Sequence, residues 1–395
     1  MKITFSFYKF HKFLLIAAGK WHLRFENPCL NFLYSVYAIS IYYFSFMMVQ
    51  LILVSIYMYR SCPERIMELC CYYVQYTNVL IMGYLSKRPK MKQVLHYISD
   101  KEKEEFTKDD VEIYKKYAKI NRNVISIIFC LTMSAAIPWY IVVFKASFDE
   151  QVNPNCPIGR GLCFQLWYPF NLYQSQYWLT KTADTLLFYI MFFALTYTRV
   201  ITVLFMVYVL GQIKIVQNRI KSVDSTSEEL MKEKRVDYDS AIFETVTECA
   251  RQYAEVQRLM RLVNKACKEF VLIAFFSNSM ELALFLMQLL MAQNIVEAFQ
   301  QTVILFMTLT QLFLFLWYAN GIKVESGEVA NIIYNETGWT NYNSKARKIL
   351  LIVMMRSQRP LTCNSAFIGD MTIDTFKNMI KLCYSITTFF KTAYL

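Results

Sequence analysis

The sequence predicts an all-α membrane protein with seven transmembrane helices, and three observations predict it. Seven long apolar stretches lie between residues 28 and 395. The lysines and arginines fall almost entirely in alternate loops between those stretches. Charged residues make up only 18% of the chain, against roughly 25% in an ordinary soluble domain. That much apolar surface has no water-compatible use other than contact with lipid.

The spans read as 32–59, 69–86, 123–144, 184–213, 267–293, 298–321 and 371–393. Each supplies the roughly 20 residues a helix needs to cross the hydrocarbon. Lipid leaves the backbone to satisfy itself, so helices are the default. Segment 1–31 carries Lys2, Lys9, Lys12, Lys20 and Arg24. Its apolar run Phe13 to Ala18 is too short and poorly flanked for the core of a cleavable signal peptide. Loops 87–122, 214–266 and 322–370 are also basic, whereas loop 60–68 offers only Arg60 and Arg65, loop 145–183 only Lys145, Arg160 and Lys181, and loop 294–297 none. About 32 cationic residues on one side against about five on the other predict a cytoplasmic N-terminus. An odd number of spans then places the C-terminus outside. The same bias explains the net charge of +12 without any nucleic-acid partner.

The cytoplasmic loops read as helical. Segment 226–262 mixes charges, with Ile242, Val246, Tyr253, Val256, Leu259 and Met260 recurring at helical spacing, so spans four and five should run on into the cytoplasm. Segment 344–356 reads likewise and stops before Pro360. The chain therefore divides into a cytoplasmic N-terminal segment 1–31, spans one to six over 32–321 with the helical extension 214–266, a cytoplasmic anchor 322–370 and a last helix 371–395. The outer loop 145–183 is rich in proline and aromatics and should fold back as a lid. Cys62, Cys156 and Cys163 alone of the eleven cysteines fall in outer loops; Cys156 and Cys163 form either a bridge or a pair of free thiols.

Nothing in the chain predicts an enzyme. It has no Gly-rich phosphate loop, no HExxH and no GxSxG. The histidines His11, His22 and His96 are scattered through cytoplasmic segments, the cysteines show no metal spacing, and neither metal nor cofactor is expected. The last span is the most informative. Asp374, Asn378, Lys381, Ser385, Thr388 and Thr392 are spaced 4, 3, 4, 3 and 4, which puts them on one narrow face. Such a stripe must be hidden from lipid, either by lining a water-filled path or by hydrogen-bonding to neighbouring helices. One helix lines a pore only when copies meet around an axis, so a pore reading implies an oligomer. Arg199 and Glu281 lie inside spans four and five and either pair or keep to the bundle interior. The outer halves of spans two to six hold aromatics and methionines, among them Tyr73, Tyr76, Met133, Ile137, Tyr140, Phe188 and Phe192. Such walls suit a small, mostly apolar ligand, or plain helix packing.

The C-terminal third resembles the insect odorant receptor family. The resemblance rests on Trp339, the run Met355-Arg356-Ser357-Gln358-Arg359-Pro360-Leu361, Asp374-Thr375-Phe376 and Lys381-Leu382-Cys383-Tyr384-Ser385, with Trp167-Tyr168-Pro169-Phe170 in the outer loop. It implies an odorant-gated, poorly selective cation channel in the plasma membrane of olfactory neurons, built as a tetramer with a shared co-receptor. It also implies that the cytoplasmic helices anchor the tetramer and that a small volatile ligand sits among spans two to six. The pore would be lined by the last helix, at Lys381, Ser385, Thr388, Phe389, Thr392 and Ala393, with the gate at the last four. Lys381 sits awkwardly in a cation path repeated four times, which favours a mixed assembly. Gustatory receptors share the fold, but their last span closes a Thr-Tyr motif in Gln-Phe, where this chain has Cys383-Tyr384 and then Phe390-Lys391. A G-protein-coupled receptor would need the opposite orientation, and the internal repeats and broken helices of transporters are not evident.

Overall fold

Proline opens three of the first four helices, and its fixed φ suits a first helical turn whose N–H groups have no partner anyway. The computed structural model describes residues 9–20, 27–102, 107–145, 166–167, 177–292, 295–365 and 368–394. In these the helices are α1 (Lys9–Ala17), α2 (Pro28–Met58), α3 (Pro63–Ser86), α4 (Pro89–Lys101), α5 (Lys108–Lys145), α6 (Tyr177–Lys221), α7 (Val223–Lys234), α8 (Tyr238–Met291), α9 (Ile295–Glu336), α10 (Ser344–Ser357) and α11 (Ile373–Tyr394). A two-residue hairpin, β1 (Asn364–Ser365) against β2 (Gly369–Asp370), precedes α11, with Asn364 paired to Asp370. Asn27 caps α2 by accepting the Cys29 amide at 3.0 Å, and Asn343 caps α10 by accepting that of Ala346 at 2.8 Å.

Four helices have both the length and the apolar content to cross a membrane: Pro28–Met58, Phe193–Lys221, Tyr238–Met291 and Ala298–Glu336. α3, α5 and α11 have the length, at 24, 38 and 22 residues. Tyrosines with Gln75 and Asn78 dilute the apolar content of α3, and the polar stripe dilutes that of α11. α2 turns Phe32, Leu33, Ile39, Tyr43 and Phe46 outward, a surface fit for lipid. α6 is the opposite case. Leu204, Phe205, Met206 and Val207 are successive and all buried, so this helix is apolar all round and forms the centre of the bundle.

The predicted helical extensions are present. α8 has 54 residues, about 80 Å at 1.5 Å per residue, far more than the ~30 Å of hydrocarbon. The part beyond the apolar spans is held by ion pairs and hydrogen bonds. Arg219 Nε donates to both oxygens of Asp110 at 3.1 and 2.9 Å. Lys214 pairs with Glu325, and Gln217 donates to the Glu325 carbonyl at 2.7 Å. Asn264 ties α8 to the segment before α11 by donating to the Thr362 carbonyl at 2.8 Å.

The short run dismissed as a signal core has a structural use. It forms α1, and Leu14, Leu15 and Ala18 enter the main buried cluster. Gly19 then turns the chain with φ +67, where a Cβ would come within 2.8 Å of Ile41 Cδ1. That turn sends Lys20 inward: its Nζ donates to the Val79 carbonyl at 3.4 Å and lies 5.1 Å from the Tyr197 ring centre. Burial, and secondarily the charge of Lys87, hold the Lys20 ammonium down at about 7 instead of 10.5. The unfolded chain then binds more protons than the folded one between those values. The contribution of Lys20 to stability is least favourable below about pH 7 and improves as pH rises across that window. Lys20→Met should raise the melting temperature of detergent-solubilised protein at pH 6.5 and flatten its rise towards pH 9. An unchanged slope would assign the pH response to another group.

Candidate functional site

α11 presents two opposite faces. At about 100° per residue, Met379, Cys383 and Thr387 centre on a direction half a turn from the polar stripe. These three are buried, and Phe376 meets the Phe313 ring of α9 edge-on at 5.7 Å. Cys383 Sγ donates to the Ser279 carbonyl of α8 at 3.5 Å. All six stripe residues, Asp374, Asn378, Lys381, Ser385, Thr388 and Thr392, are exposed and turned away from the bundle.

Their hydrogen bonds run along the helix itself. Ser385 donates to the Lys381 carbonyl at 3.0 Å, Thr388 to that of Tyr384 at 2.9 Å, and Thr392 to those of Thr388 and Phe389 at 3.2 and 2.9 Å. Asp374 accepts from Lys377 on its own helix at 3.0 Å. Among the described residues, the stripe hydroxyls bond within α11 and not to neighbouring helices. Phe389 is exposed beside them, and the side chain of Ala393 lies outside the described residues.

Three of the proposed ligand-wall residues come together. Tyr76 is part of a second buried cluster with Met48, Val49, Ile52, Leu69 and Val79, and Tyr73 and Phe188 pack against it. Tyr73 and Tyr76 are one helical turn apart on α3, and Phe188 packs on the same cluster from α6. Leu166 of the outer loop is buried in the same cluster, and the neighbouring Trp167 amide donates to Ser55 Oγ of α2 at 2.9 Å. Met133 on α5 belongs to neither buried cluster. The side chains of Ile137, Tyr140 and Phe192 lie outside the described residues.

Cys156 and Cys163 also lie outside the described residues. Cys62 is disulfide-bonded, and the other eight described cysteines are free thiols.

Arg199 and Glu281 find each other. Arg199 Nη2 on α6 donates to Glu281 Oε2 on α8 at 3.0 Å, with the side chains 10% and 0% exposed. Beside this pair, α3, α6, α8 and α9 enclose a cavity of about 40 Å³ lined in part by Asn78, Arg199, Asn278 and Gln311. No sequence motif marks Asn78 or Gln311; each is one of several polar residues in its span, and only the packing joins them.

The family profile described as 7tm Odorant receptor matches residues 62–384. Among individual proteins, the chain is similar to Odorant receptor Or2 of Anopheles gambiae, at 26% identity over 153 residues, 39% of this chain and 40% of that one. It is also similar to Odorant receptor 10 of Aedes albopictus, at 28% identity over 160 residues, 40% of each chain. The chain thus matches about 40% of the length of these curated relatives. The fold superposes on the insect olfactory receptor OR5 from Machilis hrabei, solved in complex with eugenol, with a TM-score of 0.77 over 98% of both chains at 11% identity. A profile match over most of the chain and a fold shared end to end agree: this chain belongs to the seven-transmembrane odorant receptor family of insects.

Proposed function

We propose that this chain is the odour-tuning subunit of an odorant-gated, poorly selective cation channel, assembled as a tetramer with a shared co-receptor subunit. The observation that carries the reading is the stripe of α11: six polar residues at membrane depth that face away from the chain's own bundle. A lipid-facing stripe of this kind is disfavoured, so other subunits and a shared aqueous axis are its natural surroundings. Lys381, Ser385, Thr388, Phe389, Thr392 and Ala393 would line that path, the last four at its outer narrowing. The excess of cationic loops on one side sets the N-terminus in the cytoplasm and the C-terminus outside. The membrane is then the plasma membrane of the olfactory neuron dendrite. Four copies of Lys381 would repel cations, which favours mixing with a different subunit.

The ligand is a small volatile molecule, largely apolar. Tyr73, Tyr76 and Phe188 form the wall the packing supports, with Met133, Ile137, Tyr140 and Phe192 as further candidates and the outer loop as a cover. A ligand shifts a closed–open equilibrium only by as much as it binds one state better. α11 packs on α8 and α9, so rearrangement of the bundle around the ligand moves α11 relative to the axis. The test is electrical: the chain is expressed with and without an insect odorant co-receptor, and an odorant panel is applied. Odour-evoked cation current from the pair supports the reading. Silence across a broad panel, with both subunits at the cell surface, contradicts it.

A further inference from the structure

The cavity between α3, α6, α8 and α9 is too small for an odorant and too polar to be empty. Its volume is about 40 Å³, and one water needs roughly 10–15 Å³, so it has room for about three or four. Asn78 Oδ1 and Gln311 Nε2 have no hydrogen-bond partner among the described residues, and the two side chains are 8% and 7% exposed. Both residues line the cavity. Arg199 lines it too, and the second carboxylate oxygen of its partner, Glu281 Oε1, is also buried without a partner. Unmet polar groups at membrane depth cost several kcal/mol each, so a chain that gathers two around one space has them solvated by something.

We propose that this cavity is a built-in hydration site, whose water molecules bridge Asn78, Gln311 and Arg199. The chemistry selects water over an ion. The Arg199 guanidinium on the wall repels a cation, while the adjoining carboxylate and the Asn78 oxygen disfavour an anion. Asn78 presents an acceptor and Gln311 a donor, and water serves both. The site is distinct from the proposed odorant wall, because Asn78 lies two residues, about 200°, around α3 from Tyr76. It joins the two helices of that wall, α3 and α6, to α8, which holds α11 through the Ser279 carbonyl.

The test is X-ray-generated hydroxyl-radical footprinting of the purified channel, which needs no odorant and no current. Radicals formed from bound water label side chains beside it. Met82 lines the cavity and is 1% exposed, so bulk solvent does not reach it. Labelling of Met82 in the unsubstituted protein is expected, together with a loss of about tenfold in Asn78→Leu/Gln311→Leu, while the exposed Met355 labels equally in both. An unlabelled Met82 in the unsubstituted protein overturns the proposal. So does Met82 labelling that persists undiminished in the double variant, because the radicals then come from elsewhere.

Discussion

Glu281→Leu should cost this protein about 3–5 kcal/mol and largely prevent its accumulation at the cell surface. Glu281 is fully buried and accepts from Arg199, which is itself nearly buried on the facing helix. Removing the carboxylate leaves the guanidinium without its opposite charge in the bundle interior. Native stabilities are typically only about 5–15 kcal/mol, so a loss of that size removes much of the margin. The double variant Arg199→Leu/Glu281→Leu should recover most of the loss, because apolar replacement of a whole buried pair is close to neutral. Thermal melting in detergent of the unsubstituted, single and double variants measures it. A single variant as stable as the parent, or a double variant worse than the sum of the singles, would deny the pair its place at the α6–α8 contact.

Much of this architecture was legible because it is periodic. The seven apolar stretches, the long continuations of α6 and α8 beyond their apolar spans and the 4-3-4-3-4 stripe of α11 are all one-dimensional patterns, and each appears as a helix or a helix face. The Arg199–Glu281 pair was legible for a different reason: two opposite charges at membrane depth have few alternatives to one another. What the sequence hid is tertiary or short. α1 has nine residues, too few for a periodicity to separate it from a failed signal core. The β1–β2 hairpin has two residues a strand, and its register depends on Asn364 meeting Asp370. The polar cavity depends on Asn78 and Gln311, 233 positions apart, being brought together by packing. In the ligand wall, Tyr73 and Tyr76 share a turn and so share a cluster, whereas nothing in the position of Met133 along α5 told which neighbour it would meet.

The central claim is that the exposed polar stripe of α11 lines the ion path, entered from the side that holds the C-terminus. Cysteine substitution along α11, with a charged, membrane-impermeant thiol reagent applied outside, tests it most directly. Ser385→Cys, Thr388→Cys and Thr392→Cys should each be modified, removing most of the odour-evoked current of the co-expressed channel. Met379→Cys and Thr387→Cys, at positions 0% and 5% exposed, should be indifferent. The parent chain, with exposed Cys29 and Cys130, sets the background. Block recurring at the stripe spacing is the predicted result; block that ignores the stripe, or modification that needs reagent from the cytoplasm, would contradict it.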